Sequence, residues 1–268
     1  MMQAGDAIWR TRRDLTAGTV IRYALVVGAG AVVLLTGVRI ELVLLALIVA
    51  WVGLAYRTVV GARMSAESPA LIAAGQYDEA EKRIEQAVRS FIPSRVAKLT
   101  NLHHLAALRH AQKRWSECAE LCLAVLRFKP AKAGGMGRGT RLMLADALLE
   151  AGDVEGAYGA IMGLYQQKLS LTEATELLAV QLDYESRVSG WERMMEGVER
   201  KARMLELMPA GRSGRAQALL ALAAKKTGRL DWMEFLLRRA ELLSDVQELK
   251  ERRKVLSELW PGEVKEVA

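Results

Sequence analysis

The sequence predicts an all-α protein: an N-terminal transmembrane helical hairpin, an α-solenoid of about five helix-turn-helix repeats, and a C-terminal capping helix. Three observations lead there. Leu, Ala, Met, Glu, Arg and Lys dominate the 268 residues, and these are the strong helix formers. Apolar residues make up 51% of the chain but Phe, Trp and Tyr only 6%, and the alternating pattern of a half-buried strand is missing beyond residue 60. Finally, turn residues recur 38 or 39 positions apart along most of the chain, which is how stacked structural repeats announce themselves.

Residues 1–19 read as a cytoplasmic tail and 20–60 as a two-span hairpin. From Tyr23 to Tyr56 the chain is apolar except for Arg39 and Glu41. As one helix this stretch runs roughly 50 Å, against a hydrocarbon core of about 30 Å. Breaking it at Thr36-Gly37-Val38-Arg39 gives two helices of about fifteen residues, roughly 23 Å each. Arg22 and Arg57 then snorkel at the ends. Arg10, Arg12, Arg13 and Arg22 precede the hairpin, and Arg57 and Arg63 follow it. Both ends are therefore expected on the cytoplasmic side of the inner membrane. No A-x-A-like cleavage site follows the first apolar run, which argues against a signal peptide. Val26-Val27-Gly28-Ala29-Gly30 starts like a dinucleotide-binding turn, but Val33 replaces the third glycine and no polar helix follows. Small residues at close helix contacts account better for these glycines.

Residues 65–245 carry the period. The turn positions are Gly75, Lys113, Gly152, Gly190 and Gly228. Ahead of them stand Leu105-Ala106, Leu144-Ala145 and Leu220-Ala221, small pairs that let a second helix approach. Five residues after the turns come Ala80, Cys118, Ala157, Met195 and Met233, and twelve after come Ala87, Val125, Leu164, Ala202 and Ala240. These offsets line one face of the second helix. One hairpin cannot bury such a face alone, so neighbours must stack. Pro69 shortens the first helix, with Ser68 as its N-cap. Asp153 and Asp231 follow turn glycines and read as helix caps. In the fourth unit Asp183 stands where a small residue belongs, although Trp191, Met194, Met195, Val198, Ala202 and Leu205 keep a helical period. Residues 246–260 form the polar-backed capping helix, and 261–268 a tail.

The segments GQYDEAEKRIEQAV from Gly75, KRWSECAELCLAVLRFKP from Lys113, GDVEGAYGAI from Gly152 and GRLDWMEFLLRRAELLSD from Gly228 resemble the tetratricopeptide repeat family. The resemblance covers residues 65–245 and implies a solenoid that serves as a protein-binding scaffold. Each unit is about four residues longer than the family's 34. Members that clamp C-terminal carboxylates use paired Asn on the inner helices, whereas this chain has one Asn, Asn101. That binding mode is not carried over.

Candidate chemistry is sparse, and nothing implies a cofactor. Gly134 to Thr140 has the glycine spacing of a phosphate-binding loop, but Thr140 stands where Lys is needed and no strand precedes it. It reads as a linker between repeats. His103, His104 and His110 lie near Cys118 and Cys122, yet the cysteines occupy packing positions, so no metal site is assigned. Two cysteines on one helix face are expected to stay reduced. No nucleophile with a positioned base appears, and the chain is not read as an enzyme.

One stretch stands out by charge. Between Gln86 and Ala145 eleven basic residues face only Glu117 and Glu120. Lys98, Arg109, Lys113, Arg114, Lys132, Arg138 and Arg141, together with His103 and His110, are the expected partner-binding residues, and Tyr184 and Arg187 extend the groove. The reading is a membrane-anchored scaffold for protein partners, acidic ones included. The alternatives are a peripheral organiser of anionic membrane surface through residues 86–145 and an unrecognised enzyme. Aromatic residues are too few to favour nucleic acid.

Overall fold

The computed structural model describes residues 2–36, 40–128 and 135–261. Every regular element among them is helical. The chain divides into two compact units, residues 1–147 and 148–268.

The first unit opens with two long helices, α1 (Ala4–Thr36) and α2 (Ile40–Met64). At 1.5 Å per residue they run about 50 Å and 37 Å. Both exceed the fifteen residues expected, because nothing in 4–19 or 57–64 breaks a helix. The expected tail is thus the first half of α1. Its buried residues are Ala4, Ala7, Thr11, Asp14 and Gly18, spaced three and four apart. This narrow stripe of small side chains packs on α4, α5 and α6, introduced below. Beyond Thr19 the character changes. Val20, Tyr23, Val26, Val27, Leu34 and Leu35 on α1 are exposed, as are Ile40, Leu42, Leu45, Ile48, Val49, Val52 and Tyr56 on α2. Both helices are long and apolar enough to cross a membrane. Gly28 and Gly30 have no neighbour where a side chain would point, so close helix contact does not explain them.

Helical hairpins follow. The first unit holds α3 (Ser68–Ala73), α4 (Tyr77–Arg89), α5 (Arg95–Ala111), α6 (Trp115–Arg127) and most of α7 (Met136–Ala151). α5 packs on both α4 and α6. The Leu105-Ala106 pair faces this junction fully buried, with Ala80, Ile84, Ala87, Cys118, Cys122 and Val125. Ser94 caps α5, its hydroxyl accepting from the Ala97 N–H at 3.4 Å. Ser68 does not cap α3: the N-cap is Glu67, and Ser68 is buried as the first helical residue. Pro69 stands in the first turn of α3, which is six residues long. Met136 to Thr140 form the first turn of α7 and not a linker; Gly134 lies outside the described residues.

The second unit holds α8 (Val154–Tyr165), α9 (Leu171–Arg187), α10 (Trp191–Met195), α11 (Val198–Leu205), α12 (Ala210–Lys226), α13 (Leu230–Leu243), α14 (Val246–Arg252) and a 3-10 helix, Lys254–Leu259. Asp153 caps α8 by accepting from the Gly156 N–H at 2.8 Å. Ser170 and Glu173 close a capping box on α9. Asp231 sits inside the first turn of α13 instead of capping it. α12 is the centre of the core: Ala218 to Ala224 are all fully buried or nearly so, against α9, α10 and α13. The expected single helix of the fourth hairpin is broken at Gly197, whose φ is +61°. Its apolar residues still reach the core. The expected capping helix is also two pieces, parted at Arg253, and Leu249, Leu256 and Leu259 anchor them.

The turns repeat in atomic detail. Gly75, Lys113, Gly152, Ser189 and Gly228 all adopt positive φ. After each, the next N–H bonds back five residues: Gln76 to the Leu71 carbonyl, Arg114 to Arg109, Asp153 to Leu148, Gly190 to Glu185 and Arg229 to Ala224, at 2.8–2.9 Å. This is the long bond of a helix-ending Schellman motif. The fourth turn is set by Ser189, one residue earlier than the glycine at 190, whose φ is −76°.

Candidate functional site

The basic residues expected to meet a partner are largely used inside the fold. Lys98, on the first turn of α5, is completely buried. Its Nζ lies 2.7 Å from Asp14 Oδ2 and donates to the Val88 and Ser90 carbonyls, both at 2.7 Å. Those carbonyls end α4, where the helix dipole is negative. Burial pulls the Lys98 pKa down, and Asp14 opposes the shift. Asp14 is itself buried, so the pair joins α1 to the hairpins with almost no exposure to water.

Arg109, one long stride further along α5, is also fully buried. Its guanidinium donates to Glu81 at 2.9 Å, to the Met2 carbonyl at 2.7 Å and to Gln112 at 2.7 Å. Glu117 lies 3.3 Å away. Burial raises the Glu81 pKa, but the hydrogen bond and charge of Arg109 more than offset it, and the carboxyl ends below its usual range. Thus α1 lies antiparallel to α5, pinned near residue 14 by Lys98 and near residue 2 by Arg109. Neither cation is available to a partner.

The remaining candidates divide. Arg114 pairs with Glu117. Lys113 is exposed at the turn, at φ 60°. Arg138 and Arg141 are half-buried on α7, and Lys132 lies outside the described residues. His103 and His110 are not open contact residues. Thr140 gives its hydroxyl proton to the Met136 carbonyl and accepts from His103 Nδ1 at 3.0 Å. Burial, with the neighbouring His104, lowers the His103 pKa to about 4, so the ring is neutral at pH 7. His110 Nε2 lies 2.7 Å from Asp146, its ring edge-on to Trp115. Cys118 and Cys122 are buried thiols. The hydrogen bond with Cys118 and burial push the Cys122 pKa up, so it stays protonated.

In the second unit Tyr184 stacks on Tyr158, the ring centroids 5.6 Å apart. Arg187 belongs to a buried ion network around Asp183, the residue whose place in the repeat pattern looked degenerate. Asp183 is met by Arg187 at 3.2 Å, Arg215 at 2.8 Å and Arg253 at 3.3 Å. Arg215 and Arg252 also reach Glu150, at 2.8 and 3.4 Å. Burial lowers the Arg253 pKa, opposed by Asp183. These cations tie α9, α12 and the C-terminal pieces together.

No protein-family model, curated protein or solved structure matches the chain. What the second unit does expose is a stripe on α8, where Tyr158, Met162 and Tyr165 follow helical spacing. It also has a groove of about 340 Å³ at the α10–α11 break, flanked by Arg200, Arg203, Arg229 and Trp232. The sequence reading missed both, because neither departs from ordinary helix composition. It also missed Asp14, although the small-residue stripe from Ala4 to Gly18 was a usable signal.

Proposed function

We propose that this chain is a membrane-anchored scaffold of the tetratricopeptide type, holding its helical hairpins on the cytoplasmic face of the inner membrane for protein partners. The observation that carries the reading is the continuity of two bare apolar helices with a hairpin unit. A row of large apolar side chains along α1 and α2 faces no protein, an arrangement that suits lipid and not water. The base of α1 and the end of α2 both return to the same hairpins, as a two-span hairpin requires. Five turns with one bonding pattern support the repeat assignment, and repeats of this kind work by presenting surface. Arginines on both sides of the apolar stretch support the cytoplasmic orientation. The rival reading, in which residues 86–145 spread over anionic lipid, loses Lys98 and Arg109 to the interior.

Topology reporters fused before Ala4 and after Trp260 should both read cytoplasm; export of the C-terminal fusion overturns the hairpin. Cross-linking of the full chain in its native membrane, with mass spectrometry, should recover a reproducible protein partner. Replacing Tyr158 and Tyr165 by Ser should diminish that recovery, with helix content retained.

A further inference from the structure

The connection between α4 and α5, residues 90–94, is held between the two long helices. Pro93 accepts a hydrogen bond from Arg22 of α1 at 2.9 Å and lies against Gly18. Ile92, on the other side, fills the space that a side chain at Gly61 of α2 would need. Gly18 is about one turn before Arg22, and Gly61 about one turn after Arg57, roughly 6 Å along each helix axis. The exposed apolar band ends near this level, at Val20 on α1 and Val59 on α2. A bilayer of about 40–45 Å with a core of about 30 Å has a headgroup layer of some 5–8 Å on each side. On the membrane-anchored reading, the loop is therefore at headgroup depth.

The charge at this depth is one-sided. Arg22 and Arg57 are exposed at the ends of the apolar bands, and Arg89 and Arg95 are exposed on either side of the loop. Arg89 pairs with Glu85 at 3.1 Å and Arg95 donates to the Phe128 carbonyl, yet more than half of the Arg89 side chain stays exposed. No Asp or Glu occurs between Asp14 and Glu41, between Glu41 and Glu67, or between Glu85 and Glu117. Arg10, Arg12 and Arg13 do not belong to this group, since they lie more than two turns further from the apolar band.

We propose that the wedged α4–α5 loop and its four arginines, Arg22, Arg57, Arg89 and Arg95, form a contact for the headgroups of anionic phospholipids. The inference rests on the membrane-anchored reading and adds a lipid preference to it. The loop supplies the position and the guanidinium groups supply the recognition, since their planar forks match phosphate oxygens. Each basic group near an anionic surface contributes enough for several-fold in affinity.

The test uses the full chain in mild detergent, titrated with phosphatidylglycerol or phosphatidylcholine and read by lipid retention in native mass spectrometry. Phosphatidylglycerol should be retained preferentially. Arg89→Gln with Arg95→Gln should lower its affinity roughly thirtyfold, with the circular dichroism unchanged. Arg89→Lys with Arg95→Lys should restore only part of it, since lysine returns the charge without the fork. Lys113→Gln, at the far end of α5, should change nothing. Equal retention of both lipids by the parent overturns the proposal, as does full retention by the glutamine variant. Carbonate extraction of native membranes separates this from failure of the underlying reading. A chain that stays in the membrane without lipid preference defeats the lipid contact alone, and a chain released by carbonate defeats both.

Discussion

Lys98 and Asp14 place a full charge pair in the interior, where the cost of desolvation is met only while both partners are present. Asp14→Ala leaves the Lys98 ammonium buried among carbonyls, and we expect a loss of about 3–5 kcal/mol, measured by urea denaturation in detergent. Lys98→Met with Asp14→Leu should recover much of it, because an apolar pair of similar size carries no desolvation cost. His103 provides a pH test. Its folded pKa of about 4 lies below its ordinary 6.5, so between these values the unfolded chain binds the proton and the folded chain does not. Stability should therefore fall as pH drops through this window, by about 3 kcal/mol when complete. The difference between the parent and His103→Gln, followed by denaturation from pH 7 to pH 4, isolates this contribution from the carboxylates.

At the scale of elements, two kinds of joint hold the hairpins. The turn at positive φ is repeated, and it costs an L-residue about 1 kcal/mol where a glycine is absent. Ser189→Gly should therefore raise the thermal midpoint slightly, whereas Gly228→Ala should lower it. The other joint is the wedge between Gly61 and Ile92. A β-branched side chain at Gly61 meets Ile92 directly, and such overpacking costs about 1–3 kcal/mol. Gly61→Val should destabilise the first unit by that amount, and adding Ile92→Ala should relieve it. A purely additive double-mutant cycle would mean that the two residues do not touch.

For the whole molecule, the long N-terminal helix is also part of the fold. The apolar half of α1 projects from a half that supplies Asp14 and the Met2 carbonyl to buried cations. Trimming the chain to begin at Ser65 removes these partners and uncovers Lys98 and Arg109. We expect the first unit of such a chain to lose most of its hydrogen-exchange protection while α9, α12 and α13 keep theirs, since Arg187, Arg215 and Arg253, which meet Asp183, all belong to the second unit. Equal protection of both units after trimming would show that α1 merely rests on the hairpins. Bonded in this way, α1 and the hairpins of the first unit share a buried ion pair and a buried hydrogen bond and should lose their structure together.

Helix class, the 38–39-residue spacing, four of the five turn positions and the presence of two apolar helices were determined by the sequence alone, because each is written locally; the fourth turn, at Ser189, and the lengths of the two helices were not. Propensity, a period of three to four residues and a glycine at a left-handed turn act within a few neighbours. The fate of the charges was not local. Lys98 and Arg109 read as surface because their counter-charges and carbonyls come from Asp14 and Met2, about a hundred residues away in the chain, and from α4. Asp183 read as a defect in the repeat because Arg215 and Arg253 approach it from elements later in the chain. The docking of α1 was equally hidden, since Ala4, Ala7, Thr11, Asp14 and Gly18 make a stripe of small residues with little hydrophobic signal. Only tertiary structure decides whether such a stripe is covered or a lysine is dry, because burial depends on which distant element arrives to exclude the water.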